Sequence, residues 1–323
     1  MIAGAAAKIG PGIASLGEMK PLVVVGSANA DFVLSVDRLP CPGETVSASA
    51  SDLFPGGKGA NQAAAAARLG HETIFIGQRG ADANGDFLRD ALVESGVKVH
   101  RLKTVPNCST GSAYIFLQPS GENSIVILGG ANQKGWELAG EDEEAISAAG
   151  AVLLQREIPE HVNLAVSEVA KRHGVPVILD AGGVDAPLDE KILRNLSVLS
   201  PNETELARLT GMPTGTDGEM MKAAQSLLSL DVGKVLIKLG SRGSVMVSKE
   251  GPEIKQRALP VDKVADTTGA GDCFTAAFAV GYVQGWPLER CMLFASQAAS
   301  LCIQKKGAMV SLPFANEMPL QGA

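Results

Sequence analysis

Short β-branched runs separated by stretches of helical length constrain this chain more than any other feature of it. Residues 22–26, Leu-Val-Val-Val-Gly, are too few for a helix and too rich in valine for a loop, so they read as a buried strand. Residues 73–77, 151–155, 176–180, 197–200 and 234–238 are runs of the same kind. Between them lie segments of helical length and composition, such as 60–69 and 161–173. The alternation predicts right-handed βαβ units and an α/β fold with three layers, a mostly parallel central sheet covered by helices on both faces. At 323 residues and 46% hydrophobic, the chain has enough apolar material for one large core with a small appended sheet.

Two stretches break the rhythm. Residues 32–36 with 45–51, and 112–118 with 123–128, read as strand pairs without an intervening helix, the second pair joined by the turn Pro119-Ser120-Gly121-Glu122. They predict a small separate sheet drawn from about residues 31–54 and 110–130, lying over the end of the main sheet where open α/β folds bind ligands. Such a sheet is either a lid that excludes water or a plain β extension of the scaffold. As a lid its edge strands invite pairing between subunits, which predicts a two-fold homodimer.

The net charge of −7, with basic residues scattered, argues against a nucleic-acid or anionic-membrane surface. Five cysteines without CxxC spacing and four well-separated histidines form neither a disulfide framework nor a zinc site. No apolar run approaches the ~18 residues a membrane helix requires, and the expected location is cytoplasmic. Residues 1–20 are rich in alanine and glycine and lack arginine; they read as a disordered leader, with the remnant of a plastid or other organellar transit peptide as the alternative. Residues 21–313 read as one catalytic domain and 314–323 as a C-terminal tail.

The segment Asp266-Thr267-Thr268-Gly269-Ala270-Gly271-Asp272 runs into the apolar, helix-compatible stretch 273–283. A small-residue turn feeding a helix N-terminus aims several backbone N–H groups one way, and with the helix dipole these make an anion site. Asp272 at its mouth would be repelled by phosphate unless it accepts a proton from an attacking hydroxyl, so it is a candidate base; capping the helix is the alternative. A Walker loop is absent, since GxxxxGK[ST] does not occur here. This segment resembles the second signature of the ribokinase-like carbohydrate kinase family. The resemblance implies Asp272 as catalytic base and the amides of Gly269, Ala270 and Gly271 as the anion hole for the γ-phosphate of ATP.

A second glycine cluster, Gly56-Gly57-Lys58-Gly59-Ala60-Asn61-Gln62, offers backbone donors, one ammonium and one carboxamide within seven residues, as a polyol requires; a turn with a solvated lysine would look the same. Asn29 and Asp31, at i and i+2 after the first strand, point the same way if extended, and either grip hydroxyls or merely shape a turn. Both segments resemble the ribose-phosphorylating members of the family more than the fructokinase or adenosine-kinase members, whose glycine loops usually lack the lysine. By that resemblance Asn29, Asp31, Gly57, Lys58, Asn61, Glu157 and Asp272 would contact a pentose. Glu157 has no independent support in the sequence, where a surface glutamate would look the same.

Ser200-Pro201-Asn202-Glu203-Thr204-Glu205 lies between a strand and a helical segment, so its acids fall in a first helical turn, suited either to hydrated magnesium or to a helix capped by Asn202. It resembles the family's NxxE motif, which implies Asn202 near the nucleotide phosphates and Glu205 holding magnesium (Mg2+) through water. The resemblance also implies nucleotide contacts at Lys238, Gly240, Ser241, Gly243, Gly271 and Ser296. Asp266 and the Thr268 carbonyl, with carbonyls or hydroxyl of Cys302, Lys305, Gly307 and Ser311, form an all-oxygen set that suits a hard cation. Their spacing resembles the family's potassium (K+) site, which shapes the anion hole without touching substrate. The resemblance spans about residues 21–313 and implies ATP-dependent phosphorylation of ribose at its 5-hydroxyl. The alternatives are another acceptor (2-deoxyribose, fructose, adenosine) or a catalytically silent sugar-binding protein on the same scaffold.

Overall fold

A strand buried on both faces must place apolar side chains on alternate sides. In β1 (Leu22–Val25) Leu22 and Val24 enter one core and Val23 and Val25 the other, all fully buried. The computed structural model describes residues 19–184 and 186–319; of the expected leader only residues 19 and 20, and of the tail only 314–319, fall among the described residues.

After β1 the chain forms β2 (Asn29–Ser35), β3 (Ala50–Gly56), α1 (Lys58–Arg68), β4 (Thr73–Gly80), α2 (Ala83–Glu94), β5 (Lys98–Val105), β6 (Gly111–Leu117) and β7 (Asn123–Leu128). There follow α3 (Gly140–Ala148), β8 (Ala151–Arg156), α4 (Glu160–Arg172), β9 (Val177–Gly183), the single turn α5 (Glu190–Leu193) and β10 (Val198–Ser200). The last part comprises α6 (Glu203–Thr210), α7 (Asp217–Ser229), β11 (Lys234–Lys238), β12 (Ser244–Ser248), β13 (Ile254–Gln256), α8 (Ala270–Val283) and α9 (Leu288–Cys302).

Among the described residues, nine strands build the main sheet in the order β13-β12-β11-β10-β9-β8-β1-β4-β5, parallel except for the antiparallel margin of β12 and β13. Helices α1, α2, α8 and α9 cover one face, and α3, α4, α6 and α7 the other. Helix α8 is buried along almost its whole length because it packs between α1 and α9 as well as on the sheet, which explains an apolar sequence with no polar stripe. Among the described residues, no helix is long and apolar enough to cross a membrane.

A second sheet has the order β3-β2-β6-β7, with β2 antiparallel to β3, parallel to β6, and β6 antiparallel to β7. The partner of β2 is Ala50–Gly56 and not the expected 45–51. The pairing is fixed at its far end, where Asn29 faces Gly56 just before the chain turns into α1; residues 41–48 are left to connect the strands. Phe32 stacks on Tyr114 across β2 and β6, with ring centroids 5.2 Å apart.

Candidate active site

Strands β1, β8, β9, β10 and β11 run in parallel, so the residues that follow their C-terminal ends collect along one edge of the sheet, the usual ligand edge of open α/β folds. Asn29, Glu157, Asp180, Asn202 and Lys238 all lie there. Strand β3 brings the glycine turn to the same edge. A Cβ on Gly56 would lie 1.9 Å from Asp31 Oδ2, and Gly57, at φ 87°, would place one 2.7 Å from the Asn29 backbone nitrogen. Only glycines let this turn press against Asn29 and Asp31.

Helix α1 starts at this turn and packs against α8. Asn61 Nδ2 donates to Asp272 Oδ2 at 3.0 Å across 211 positions of sequence, Gln62 Nε2 donates to Oδ1 at 3.2 Å, and Lys58 Nζ lies 3.9 Å from Oδ1. Gln62 is itself held by Gln155, whose Nε2 donates to Gln62 Oε1 at 2.7 Å. The N-cap of α8 is Gly269, at φ 78°, so Asp272 does not take the capping role. Burial raises the Asp272 carboxyl above its ordinary range, Lys58 opposes that shift, and Asp180 adds to it. A carboxylate with raised proton affinity, held by amides and one ammonium, is suited to accept a proton. The same acid is the main reason the Lys58 ammonium is pushed up in pKa. Asp31 is raised to about 7, by burial first and then by Glu157 and Asp272.

In the turn before Asp272, the Ala270 amide donates weakly to Thr267 O at 3.2 Å. The first-turn amides of a helix have no intrahelical acceptor, so the N-terminus of α8 presents donors to an anion. Glu157 Oε2 accepts from Ser27 Oγ at 2.6 Å and from the Lys58 amide at 2.9 Å, joining the turn after β1 to the glycine turn. Asn29 Oδ1 accepts from Asn132 Nδ2 at 2.7 Å.

At the other end of the edge Asn202 caps α6. Its Oδ1 accepts from the Glu205 amide at 2.8 Å while Glu205 Oε2 accepts from the Asn202 amide at 2.8 Å. The capping alternative is therefore realised, and one Glu205 oxygen lies outside the reciprocal pair; Glu205 is also near enough to Lys58 to act on its charge. Gly240 and Ser241 are exposed in a short 3-10 turn after β11, Gly243 closes that turn at φ 96°, and Ser296 is buried on α9.

Asp266 joins two loops. Its Oδ1 accepts from the Thr268 amide at 2.9 Å and hydroxyl at 2.7 Å, and its Oδ2 accepts from the Gly307 amide at 2.9 Å. Burial pushes its carboxyl up, but these bonds outweigh burial and hold it below its ordinary value. Cys302 Sγ lies 3.0 Å from Ser311 Oγ and 4.0 Å from Thr268 O. The Lys305 ammonium donates to Glu317 at 2.6 Å, which leaves its carbonyl as the group to offer. One carboxylate with carbonyls and a hydroxyl fits a hard cation of low charge. Gln62, Asn132, Asp180 and Thr275 belong to this edge but were not singled out in the sequence. Only Gln62, last residue of the glycine motif, carried a signal there.

Residues 19–315 match the family model described as pfkB family carbohydrate kinase. The ribokinase of Arabidopsis thaliana is 50% identical over 297 residues, covering 91% of this chain and 78% of that protein. The ribokinase of Haemophilus influenzae is 36% identical over 300 residues, covering 92% and 97%. A solved structure of Arabidopsis thaliana ribokinase complexed with ribose and ATP superposes with a TM-score of 0.90 at 49% identity, over 92% of this chain and 96% of that one. With the three-layer architecture, the two glycine turns meeting at the ligand edge and a family match that spans the described residues almost entirely, the chain belongs to the pfkB family of carbohydrate kinases.

Proposed function

We propose that the protein is an ATP-dependent ribokinase that transfers the γ-phosphoryl group to the 5-hydroxyl of D-ribose, giving ribose 5-phosphate and ADP. The observation that carries this is the buried cluster of Asp272 with Asn61, Gln62 and Lys58, which sets an acid of raised proton affinity between the sugar turn and the N-terminus of α8. The ribokinase relatives, one of them solved with ribose and ATP, support the choice of substrates.

Asn29, Asp31, Gly57, Lys58, Asn61 and Glu157 hold the pentose, and Asp272 takes the 5-hydroxyl proton as the O5–P bond forms and the bond to the ADP oxygen breaks. The amides of Gly269, Ala270 and Gly271 receive the charge that builds on the phosphoryl oxygens. Asn202, Lys238, Gly240, Ser241, Gly243 and Ser296 bind the nucleotide. Glu205 would hold Mg2+ through water with the oxygen outside its cap, and bound magnesium supplies neutralisation of phosphate charge. Asp266, Thr268, Cys302, Lys305, Gly307 and Ser311 would hold K+, which stiffens the turn before α8. The second sheet acts as a lid. Its exposed Ile125, Val126, Ile127 and Leu128 support a homodimer through β7. The free thiols support a cytoplasmic location.

A coupled ADP-release assay with D-ribose, 2-deoxyribose, D-fructose and adenosine tests the substrate, and ribose is expected to be turned over best. Asp272→Asn should fold, by circular dichroism, and lose about 10²–10⁴-fold in kcat. Retained turnover in that variant removes Asp272 as base, and ribose binding without any ADP release would mark a silent sugar-binding protein.

A further inference from the structure

Asp180 is a buried acid to which phosphoryl transfer, as described above, gives no role. It lies in β9, 1% exposed, and both its oxygens accept hydrogen bonds. Oδ2 accepts from Lys238 Nζ at 2.5 Å and from Thr275 Oγ1 at 2.8 Å, and Oδ1 accepts from the Gly182 amide at 2.9 Å. Lys58 lies near the same acid, since a Cβ on Gly182 would lie 2.6 Å from Lys58 Nζ and 2.9 Å from Asp180 Oδ1. Asp272, Lys58, Asp180 and Lys238 thus form a cluster in which each acid has a lysine beside it. The two acids are buried, while the Lys58 and Lys238 side chains are 30% and 13% exposed.

A buried ion pair is a poor device for stabilising a fold, because desolvation offsets most of the attraction. It is an effective way to fix an ammonium at one point. Burial pushes the Asp180 carboxyl up, yet Lys238 and Lys58 outweigh burial and hold it below its ordinary range. The ammonium so fixed stands beside the candidate anion site: a Cβ on Gly271 would meet Lys238 Nζ at 3.7 Å. The Lys238 amide donates to Pro201 O at 2.8 Å, and its backbone bridges to Asn202. Lys238 thus stands between the Asn202 turn and the first turn of α8, and Thr275 ties α8 to the same carboxylate.

We propose that Asp180 is a positioning residue for phosphoryl transfer, holding the Lys238 ammonium at the first turn of α8 as a second cation, beside Lys58, for the group in flight. This rests on the protein being an ATP-dependent kinase. Charge spread over the phosphoryl oxygens would then meet the α8 amides and two ammoniums that need no rearrangement during the reaction.

The test measures kcat, the KM for ribose and the melting temperature for Lys238→Met, Asp180→Asn and the double variant. Either single change leaves a polar group without its partner and threatens folding; the double variant removes both charges together. The double variant is expected to melt close to the wild type and to keep its KM for ribose within about threefold, yet to lose roughly 10²-fold in kcat, as loss of one transition-state donor does. A double variant that regains both stability and wild-type kcat would show the pair to be only structural and overturn the proposal. If the wild type itself releases no ADP with any acceptor, the kinase reading falls first and takes this one with it, a result distinct from an active double variant.

Discussion

At Asp31, burial opposes the charge that the proposed sugar contact would use. Held close to Glu157 and Asp272 and removed from water, its carboxyl is raised from 3.8 to about 7. Below the unfolded value the group is protonated in both states and costs nothing. Between 3.8 and about 7 the unfolded chain releases the proton that the folded chain keeps, so stability falls as pH rises through this window and the full cost stands above it. At about 1.4 kcal/mol per pH unit, the cost is at most about 4 kcal/mol, and less where water in the open cleft screens the charge. Asp31→Asn should therefore raise the unfolding free energy at pH 8 and barely change it at pH 4, as read from urea denaturation at the two values. It should also weaken ribose by about 10–100-fold in calorimetric titration, the usual effect of losing a charged acceptor. Equal stability effects at both pH values would mean that Asp31 is not held against its charge.

At the scale of elements, the exposed strand β7 is the part of the molecule that an isolated chain explains least. Ile127 is 65% exposed, and its neighbours Ile125, Val126 and Leu128 are open as well, on both faces of an edge strand. An apolar edge with free backbone groups is a template for another strand, and a second copy of β7 offers the same surface by two-fold symmetry. Sedimentation velocity should find a dimer for the wild type and a monomer for Ile125→Lys with Ile127→Lys, with the circular dichroism spectrum unchanged because neither side chain is buried within the subunit. A wild type that sediments as a monomer at micromolar concentration excludes this contact. The same scale shows what the sequence made legible. Strands buried on both faces, β1, β8, β9 and β11, stand out because apolar runs have no other use at that length. Strands β5 and β13 did not, since Lys98–Val105 and Ile254–Gln256 mix polar and apolar residues at sheet margins. The expected strand at 45–51 is displaced to 50–56 because strand pairing, which no local pattern records, sets the register. Asp180 and Thr275 were opaque for the same reason: Asp180 is bonded from β11 and α8, and Thr275 bonds to β9, all distant in sequence.

Across the whole molecule, the sugar turn and the proposed cation loops form one closed circuit. Helix α1 begins at Lys58 and ends at Arg68, whose Nη1 donates to Met309 O at 2.7 Å and Leu312 O at 3.2 Å, with the guanidinium 4.9 Å from the Phe314 ring centroid. That segment carries Ser311 and follows Gly307, whose amide bonds Asp266 and so leads back through Thr268 to the first turn of α8. Helices α1 and α8 close the circuit by packing on each other and through the bond from Asn61 to Asp272. A cation held between residues 266–268 and 302–311 would therefore bear on the geometry of the α8 amides, while the proposed sugar contacts would stay anchored by Glu157 and the glycine turn. Replacing potassium by tetramethylammonium should lower kcat by about 5–150-fold, the range of ordinary site-to-site coupling, and change the KM for ribose far less. Asp266→Ala should show the low kcat in potassium itself and no further response to the exchange, because the carboxylate that joins the two loops is gone. A wild-type kcat indifferent to the cation would leave Asp266 as a loop clasp alone, and equal losses in kcat and ribose affinity would mean that the circuit transmits to the sugar turn as strongly as to α8.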